Sequence, residues 1–183
     1  TLIDPIATYC YQPVPVQPTI QIVAGKPEFY LAVAPTLLDE GEKFDLKMKG
    51  EDRWGNPTDQ CDASFKLRAI GNVEVKGLPD QVTFKPGTFA TIIEGLRVIG
   101  PGEVAIELLD DDGNVASTSN PIRAQAAGPL KHYWGDLHGQ SEETIGTGSA
   151  RQYFEYARDR AFVDATGHQG NDFQITSPFW LQL

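Results

Sequence analysis

Cysteine, methionine and histidine are all scarce in this chain. Its 183 residues include two cysteines, one methionine and three histidines. A small disulfide-stabilised scaffold needs a much denser set of cysteines, so Cys10 and Cys61 do not indicate one, and whether the two pair stays open. The histidines are His132, His138 and His168. Any chemistry that depends on imidazole is therefore confined to the C-terminal third of the chain.

Basic residues and long apolar runs are lacking as well. The chain has 15 Lys and Arg against 25 Asp and Glu, which gives a formal net charge of −10. This balance argues against nucleic-acid binding, which needs clustered Lys and Arg, and disfavours binding to anionic membranes. No apolar run approaches the ~20 residues of a membrane-spanning helix. The N-terminus has neither an initiator Met nor the features of a signal peptide. We therefore expect a fragment or a processed product, and the sequence assigns it no compartment.

Short alternating runs dominate residues 21–126. In "KFDLKMKGED" the apolar Phe44, Leu46 and Met48 alternate with charged residues, which is the period of a strand with one solvated face. About seven such runs are separated by turn signals. This spacing predicts an immunoglobulin-like β-sandwich over residues 21–126. The proline-rich residues 1–20 are predicted to form an extended connector.

Two loops of this region resemble binding sites. Asp110–Asn114, "DDDGN", resembles the start of a calcium loop but lacks the later glycine and glutamate, so we predict a hairpin turn. The loop "EDRWGNP" could present Trp54 to a ligand. We favour the alternative that Trp54 packs over the end of the sandwich.

The pattern changes after the small-residue segment "AQAAGPLK", Ala124–Lys131, which is typical of a linker. The strand "HYWGDLH" is followed by a helix, "ARQYFEYARDRA", with Ser149 as its N-cap, and then by the strand "FVDAT". A glycine-rich loop and a second helix opening at Ser177-Pro178 are predicted to follow. We therefore predict that residues 127–183 form the first βαβ part of an incomplete α/β domain. The predicted fold class is multi-domain.

His138 and His168 are the candidate functional residues. Each follows a predicted strand, and the carboxyl ends of neighbouring parallel strands meet at one edge of a sheet. Imidazole and carboxylate are common ligands of divalent metals, and Asp172 and either Glu142 or Glu143 lie within loop reach. The alternative is that both histidines form structural hydrogen bonds at strand ends.

The same residues resemble a known superfamily. "WGDLHGQSEETIGTG", followed by "YFEYARDRAFVDATGHQGNDF", is similar to the start of a PHP-type domain (polymerase and histidinol phosphatase), which opens with a strand, His-x-His, a helix and a strand ending in Thr-Asp-His. More closely, the chain resembles a bacterial family of unknown function that joins such a hydrolase-like barrel to β-rich N-terminal domains. "IVAGKPEFYLAVAPTLLDEGEKFDLKMKGEDRWGNP" is similar to the segment before that barrel. The resemblance covers roughly residues 20–183.

The resemblance implies a β/α barrel with two or three divalent metals that hydrolyses a phosphate ester or a similar bond. His138 matches the first histidine of His-x-His, and His168 matches the histidine of Thr-Asp-His. Gln140 and Gly167 replace the other two motif residues, so the site is expected to hold fewer metals, a different metal or none. Zinc, manganese and iron are the expected ions in the full-length parent. Asp136 is expected to orient a neighbour by hydrogen bonding.

No catalytic residue is assigned within these 183 residues, and the remaining ligands would come from later strands. The C-terminal segment is then expected to contact the remainder of the protein or another chain. A second hypothesis is a non-catalytic binding or scaffold module, in which the sandwich recognises a partner and the α/β part is degenerate. The replacements at Gln140 and Gly167 favour this second hypothesis, whereas the clustering of histidines favours the first.

Overall fold

The computed structural model describes the backbone of residues 2–3, 11–12, 16, 20–169 and 174–178, and the side chains of residue 16 and residues 20–168. Cys10 and Asp172 lie outside these residues. Within the predicted connector, Leu2–Ile3 (β1) pairs antiparallel with Tyr11–Gln12 (β2).

Residues 29–125 form two β-sheets. The first sheet has the order β3, β5, β10 and β8, with β6 paired to β5; these strands span Phe29–Val33 (β3), Lys43–Glu51 (β5), Pro57–Thr58 (β6), Glu74–Lys76 (β8) and Thr91–Ile99 (β10). The second has the order β4, β13, β11, β7 and β9, with β12 paired to β11; these strands span Leu37–Asp39 (β4), Ala63–Gly71 (β7), Gln81–Phe84 (β9), Gly102–Leu109 (β11), Val115–Thr118 (β12) and Ile122–Gln125 (β13). All pairs are antiparallel except β4 with β13.

One hydrophobic core lies between the two sheets. From β5, Phe44, Leu46 and Met48 are buried, as their alternation predicts, and Ile106 and Leu108 of β11 reach the same core from the second sheet. Each fully buried side chain of this size contributes about 1.5–3 kcal/mol relative to an exposed one. Rings from both sheets meet edge to face, with centroids 4.6 to 5.8 Å apart, in the cluster Tyr30, Phe65 and Phe84. The prediction of a β-rich domain is confirmed.

The segment predicted as a linker is shorter than expected and is held to the sandwich. Ala124 and Gln125 belong to β13, because their backbone pairs with β4. Farther on, the Lys131 ammonium lies 2.7 Å from the Asp39 carboxylate and also contacts Glu42. This ion pair fixes the exit of the chain from the sandwich.

The C-terminal unit begins with two parallel strands joined by a helix. Gly135–Gly139 (β14) pairs parallel with Ala165–Gln169 (β15). Between them lie Ala150–Tyr156 (α1) and a π-helical turn, Ala157–Ala161. The predicted N-cap is present, since the Ser149 side chain accepts from Gln152 N–H in a capping box. In the described part of the chain, no helix is both long and apolar enough to cross a membrane.

Ser177 and Pro178, which were predicted to open a helix, belong to a strand; the rest of that predicted helix lies outside the described residues. Gln174–Pro178 (β16) instead pairs antiparallel with β15. The β-branched Ile175 and Thr176 favour a strand, and Pro178 is tolerated because it ends a strand at the edge of this sheet.

The C-terminal unit contacts the sandwich through the end of its helical segment. Phe162 ends the π-helical turn with a left-handed backbone, φ 62°, and is only 5% exposed. The Lys49 ammonium lies 5.3 Å from the centre of its ring and donates to the carbonyl of Arg160 at 2.7 Å. Lys49 also pairs with Glu51 at 2.9 Å. A buried lysine of the sandwich thus satisfies the carboxyl end of a helical segment.

Candidate functional site

The two candidate histidines lie in neighbouring strands. Asp136 is opposite Thr166, and Gly139 is opposite His168. Three steps along β14 therefore match two steps along β15, so β14 contains a bulge at Leu137 and His138. His138 is exposed at this bulge.

Asp136 and Gln140 hold the backbone and the ring of His138. The Asp136 carboxylate accepts the His138 backbone N–H at 2.9 Å. Gln140 Oε1 lies 2.8 Å from the Thr144 hydroxyl, which donates to it. The Gln140 amide nitrogen consequently faces His138 Nε2, at 3.3 Å. An amide nitrogen only donates, so in this arrangement His138 Nε2 accepts from it. Nε2 thus carries the lone pair that a metal ion would use.

His168 is in a different environment. The sequence predicts it in a loop after the strand, but it lies within β15 and is fully buried. The rings of Tyr153 and Phe154 pack beside it, with centroids 5.9 and 6.1 Å away. Neither ring nitrogen has a hydrogen-bond partner among the residues that the structure describes. A buried polar group left in this way costs about 1–3 kcal/mol, so the described residues give no structural hydrogen bond that would explain His168.

Tyr153 connects the helix to both strands. Its hydroxyl is hydrogen-bonded to Thr166 Oγ1 and lies 3.5 Å from the Asp136 carboxylate. Thr166 in turn donates to the Asp136 carbonyl at 2.8 Å. Burial raises the pKa of Tyr153 above its usual value; the bond with Thr166 opposes this effect and the nearby Asp136 charge adds to it. The phenol therefore keeps its proton at neutral pH and remains a donor.

The loop after β14 is closed by its own backbone. Ser141 is fully buried, and its carbonyl accepts the N–H groups of Thr144 and Gly146 at 2.9 Å each. Glu142 donates its backbone N–H to Gly148, while its side chain is exposed. Glu142 is thus close in sequence to the site, but its carboxylate faces solvent.

Most of the predicted site residues lie on β14 and the loop that follows it. The structure brings Asp136, His138 and Gln140 together, and it places His168 one strand away in a buried position. Asp172 lies outside the described residues. Within residues 20–168, no group of three or more His, Cys, Asp or Glu side chains is arranged to hold a metal ion.

Sequence reasoning missed Tyr153 and Thr166. Tyr153 lies in the predicted helix "ARQYFEYARDRA" and Thr166 in the predicted strand "FVDAT", and neither was identified as a candidate site residue. The packing of Tyr153 explains the glycine at position 139. A side chain there would collide with the Tyr153 ring.

The two other candidate loops have different outcomes. Asp110 accepts the backbone N–H of Asn114 at 2.7 Å within the turn that joins β11 to β12, which confirms the predicted hairpin.

Trp54 is 76% exposed, so the expectation that it packs over the sandwich is wrong. The buried Asp52 carboxylate holds this loop by accepting the backbone N–H groups of Gly25, Trp54 and Asn56. These bonds lower the pKa of Asp52 far below its usual value, and the bond from Gly25 has the largest effect. These hydrogen bonds satisfy the backbone of the turn, so the Trp54 side chain is not needed to hold it in place.

Comparison with known proteins finds few relatives. No protein-family model matches the chain. Two chlamydial proteins, each described as an uncharacterized protein, are similar to it over 149 residues: one from Chlamydia trachomatis at 29% identity and one from Chlamydia muridarum at 28%. The match covers 81% of this chain and 22% of each relative. The chain therefore spans about a fifth of the length of these relatives.

Among solved structures, the superoxide reductase (neelaredoxin) from Ignicoccus hospitalis matches 54% of this chain and 82% of its own, at 13% identity and a TM-score of 0.35.

Proposed function

We propose that this chain is part of a metal-dependent hydrolase of the PHP type, acting on a phosphate ester or a similar small-molecule ester. His138 and His168 would contribute nitrogen ligands to a divalent zinc, manganese or iron ion. Asp136 and Gln140 would hold His138, and Asp172 and Glu142 remain candidates for the surroundings of the site. When bound, the metal would polarise the scissile group and supply a hydroxide nucleophile.

The observation that carries this proposal is the buried imidazole of His168. It has two nitrogens and no hydrogen-bond partner for either among the described residues. A buried polar group in this state calls for a ligand or an ordered partner. The nitrogen donor type suits zinc, iron and manganese.

His138 adds a second donor of the right kind. Its Nε2 is already an acceptor, held by the weak 3.3 Å contact with Gln140. The described residues supply two nitrogen donors, one exposed and one buried, as candidates for part of a ligand set. The chlamydial relatives are much longer than this chain, so we place the remaining ligands in the rest of the protein.

We also propose the finer fold assignments. The two sheets around one core are compatible with an immunoglobulin-like sandwich. The parallel pair β14 and β15, joined by α1, is compatible with the start of a β/α barrel.

The experiment compares metal binding by wild type and single variants. Zinc and manganese are titrated calorimetrically into His138→Ala, His168→Leu and the control His132→Ala, which changes the third, exposed histidine. We expect wild type and the His132 variant to bind equally, and the other two to bind at least tenfold more weakly. Melting temperatures are recorded with and without metal, because a ligand of the folded state raises them.

The metal-free melting temperature separates a ligand from a structural histidine. Leucine at position 168 removes two unpartnered nitrogens, so His168→Leu should be as stable as metal-free wild type or more stable. A large loss of stability in that variant, together with no metal binding by wild type and no phosphoesterase activity of the full-length protein with added zinc, manganese or iron, would reject the proposal.

A binding module is the second candidate. It is favoured by Trp54, whose side chain is exposed on a turn that Asp52 holds. The Arg53 guanidinium lies 4.6 Å from the centre of the Trp54 ring. An exposed aromatic on a rigid loop is typical of recognition surfaces. Under this proposal Trp54→Ala abolishes capture of the partner, whereas His138→Ala has no effect.

A further inference from the structure

We propose that a groove between the sandwich and the C-terminal unit binds an extended peptide segment of a partner protein, with one acidic residue among apolar ones. The Arg160 guanidinium binds the acidic side chain, and the backbone of residues 20–23 pairs with the peptide. This proposal does not rest on the hydrolase proposed above, because the groove lies away from His138 and His168.

The Arg160 guanidinium is held by aromatic rings while its hydrogen-bond donors stay free. Its central carbon lies 3.7 Å from the centre of the Phe89 ring and 5.9 Å from that of Tyr156. Among the described residues, no side chain or backbone group accepts a hydrogen bond from this guanidinium. A guanidinium that is fixed in this way and keeps its donors is ready to bind a carboxylate through two parallel bonds.

The other charged groups of the same helical segment are already paired. Arg151 binds Glu155 at 2.8 Å. Arg158 binds both carboxylate oxygens of Asp159, at 2.6 and 2.8 Å. Within the described part of the chain, Arg160 is therefore the arginine of this segment that forms no ion pair. Its charge is available to a partner.

The groove beside Arg160 has apolar walls. Its volume is about 590 Å³, and Ile22, Val23, Pro57 and Phe89 are among the residues that line it. Ile22 is 89% exposed and Val23 is 70% exposed. Removing these side chains from water is favourable, so the occupant should carry apolar side chains on either side of its acidic one.

The segment that forms one wall of the groove has free backbone groups. Residues 20–23 run without a turn or bend, and their backbone forms no hydrogen bond to another described residue. The segment is held at its end, because the carbonyls of Ala24 and Gly25 each accept a side-chain hydrogen bond at 2.7 Å, from Gln60 and Thr58. Free N–H and C=O groups on such a segment pair with another extended chain. A peptide therefore fits the groove better than a compact small molecule.

Charge separates this occupant from others. The Asp59 side chain also belongs to a residue that lines the groove, and the chain has a formal net charge of −10. Both oppose a polyanion, whether a nucleic acid, an anionic membrane or a run of acidic residues. A single carboxylate beside Arg160 gains the ion pair without this repulsion.

The test titrates synthetic peptides calorimetrically into the protein. The first is the acetylated and amidated peptide Ser-Val-Thr-Glu-Val-Thr-Ser. The second has glutamine in place of glutamate, and the third is the first peptide methylated at both valine nitrogens. The variant Arg160→Gln keeps the backbone carbonyl that accepts from Lys49. Its matched control is Arg151→Gln, which removes the same charge from an exposed position.

We expect wild type to bind the glutamate peptide at least tenfold more tightly than the glutamine peptide, because a hydrogen bond to a charged group is stronger than a neutral one. Arg160→Gln should bind the two peptides equally, whereas Arg151→Gln and His138→Ala should match wild type. The methylated peptide should bind at least tenfold more weakly, because one of its two altered nitrogens faces the segment in either register.

Three results would overturn the proposal. The first is that wild type binds neither peptide, or binds both equally. The second is undiminished binding of the methylated peptide, which would exclude pairing with the backbone. The third comes from sedimentation of the protein alone, since a dimer that Arg160→Gln dissociates would assign the groove to a second copy of the chain. Should Arg160→Gln fail to fold, the comparison of the glutamate and glutamine peptides on wild type still decides.

Discussion

Phe162 offers a test of the contact between the C-terminal unit and the sandwich. Its ring is 5% exposed and lies against the ammonium groups of Lys47 and Lys49, 6.0 and 5.3 Å from its centre. Replacing a buried phenylalanine with alanine costs about 3–5 kcal/mol of the free energy of unfolding. Phe162→Ala should fall in this range, as measured by urea denaturation.

The left-handed backbone at Phe162 gives a sharper prediction. At φ 62° a residue with a Cβ bears a strain of about 1–2 kcal/mol, which Phe162→Gly relieves. Glycine also gives the unfolded chain more freedom, which costs about 0.4–1 kcal/mol. The glycine variant should therefore be about 1 kcal/mol more stable than the alanine variant.

Tyr156 provides the matched control. It is exposed and has right-handed helical angles, φ −63° and ψ −46°. Here alanine should be more stable than glycine by about 1 kcal/mol, the normal order in a helix. If Phe162 shows the same order as Tyr156, the left-handed turn and the docking geometry built on it are wrong.

Three further predictions concern the linker, the thiol and the helix cap. The hydrogen bond from the Lys131 ammonium lowers the pKa of Asp39. The Asp39 carboxylate therefore stabilises the fold at pH values above its unfolded pKa of about 3.9. This stabilisation is lost as the pH falls through the lower pKa of the folded state. In urea denaturation, Asp39→Asn should thus be less stable than wild type at about pH 7, and the difference should shrink on acidification towards about pH 3; a difference independent of pH would contradict the ion pair. Burial raises the pKa of the free thiol of Cys61. In a Cys10→Ser background, a thiol reagent should therefore react with Cys61 only after urea is added. Rapid reaction of the folded protein would show that the thiol is accessible. Ser149→Ala should lose about 1 kcal/mol, whereas Ser149→Asp keeps a capping oxygen and should be near wild type; equal losses in both would argue against the cap.

Local signals in the sequence predicted much of the architecture. The alternation in Lys43–Glu51 identified a strand and its buried face, because the period of two depends only on neighbouring residues. The turn at Asp110–Asn114 and the cap at Ser149 depend on side chains that bond their own backbone, and both were predicted. The order strand, helix, strand after residue 130 was also correct.

Features that depend on distant partners were not predictable in this way. The parallel pairing of β4 with β13 joins segments that carry no shared pattern. Trp54 was predicted to pack over the end of the sandwich, yet hydrogen bonds to Asp52 satisfy the backbone of its turn and its side chain is exposed. His168 was identified as a candidate, but its burial within β15 follows from the rings of Tyr153 and Phe154, which only the packing of α1 brings there.

The pairing of the first strand of the second sheet with its last strand sets an order of events during synthesis. Leu37–Asp39 leaves the ribosome early and cannot be joined by Ile122–Gln125 until nearly the whole sandwich has emerged. The neighbouring bonds between Ala34 and Asn120 likewise join residues that are 86 positions apart. Contacts of such separation form late, because a long loop must close first. The second sheet is therefore completed only after Gln125 has emerged, shortly before the residues of the C-terminal unit are made.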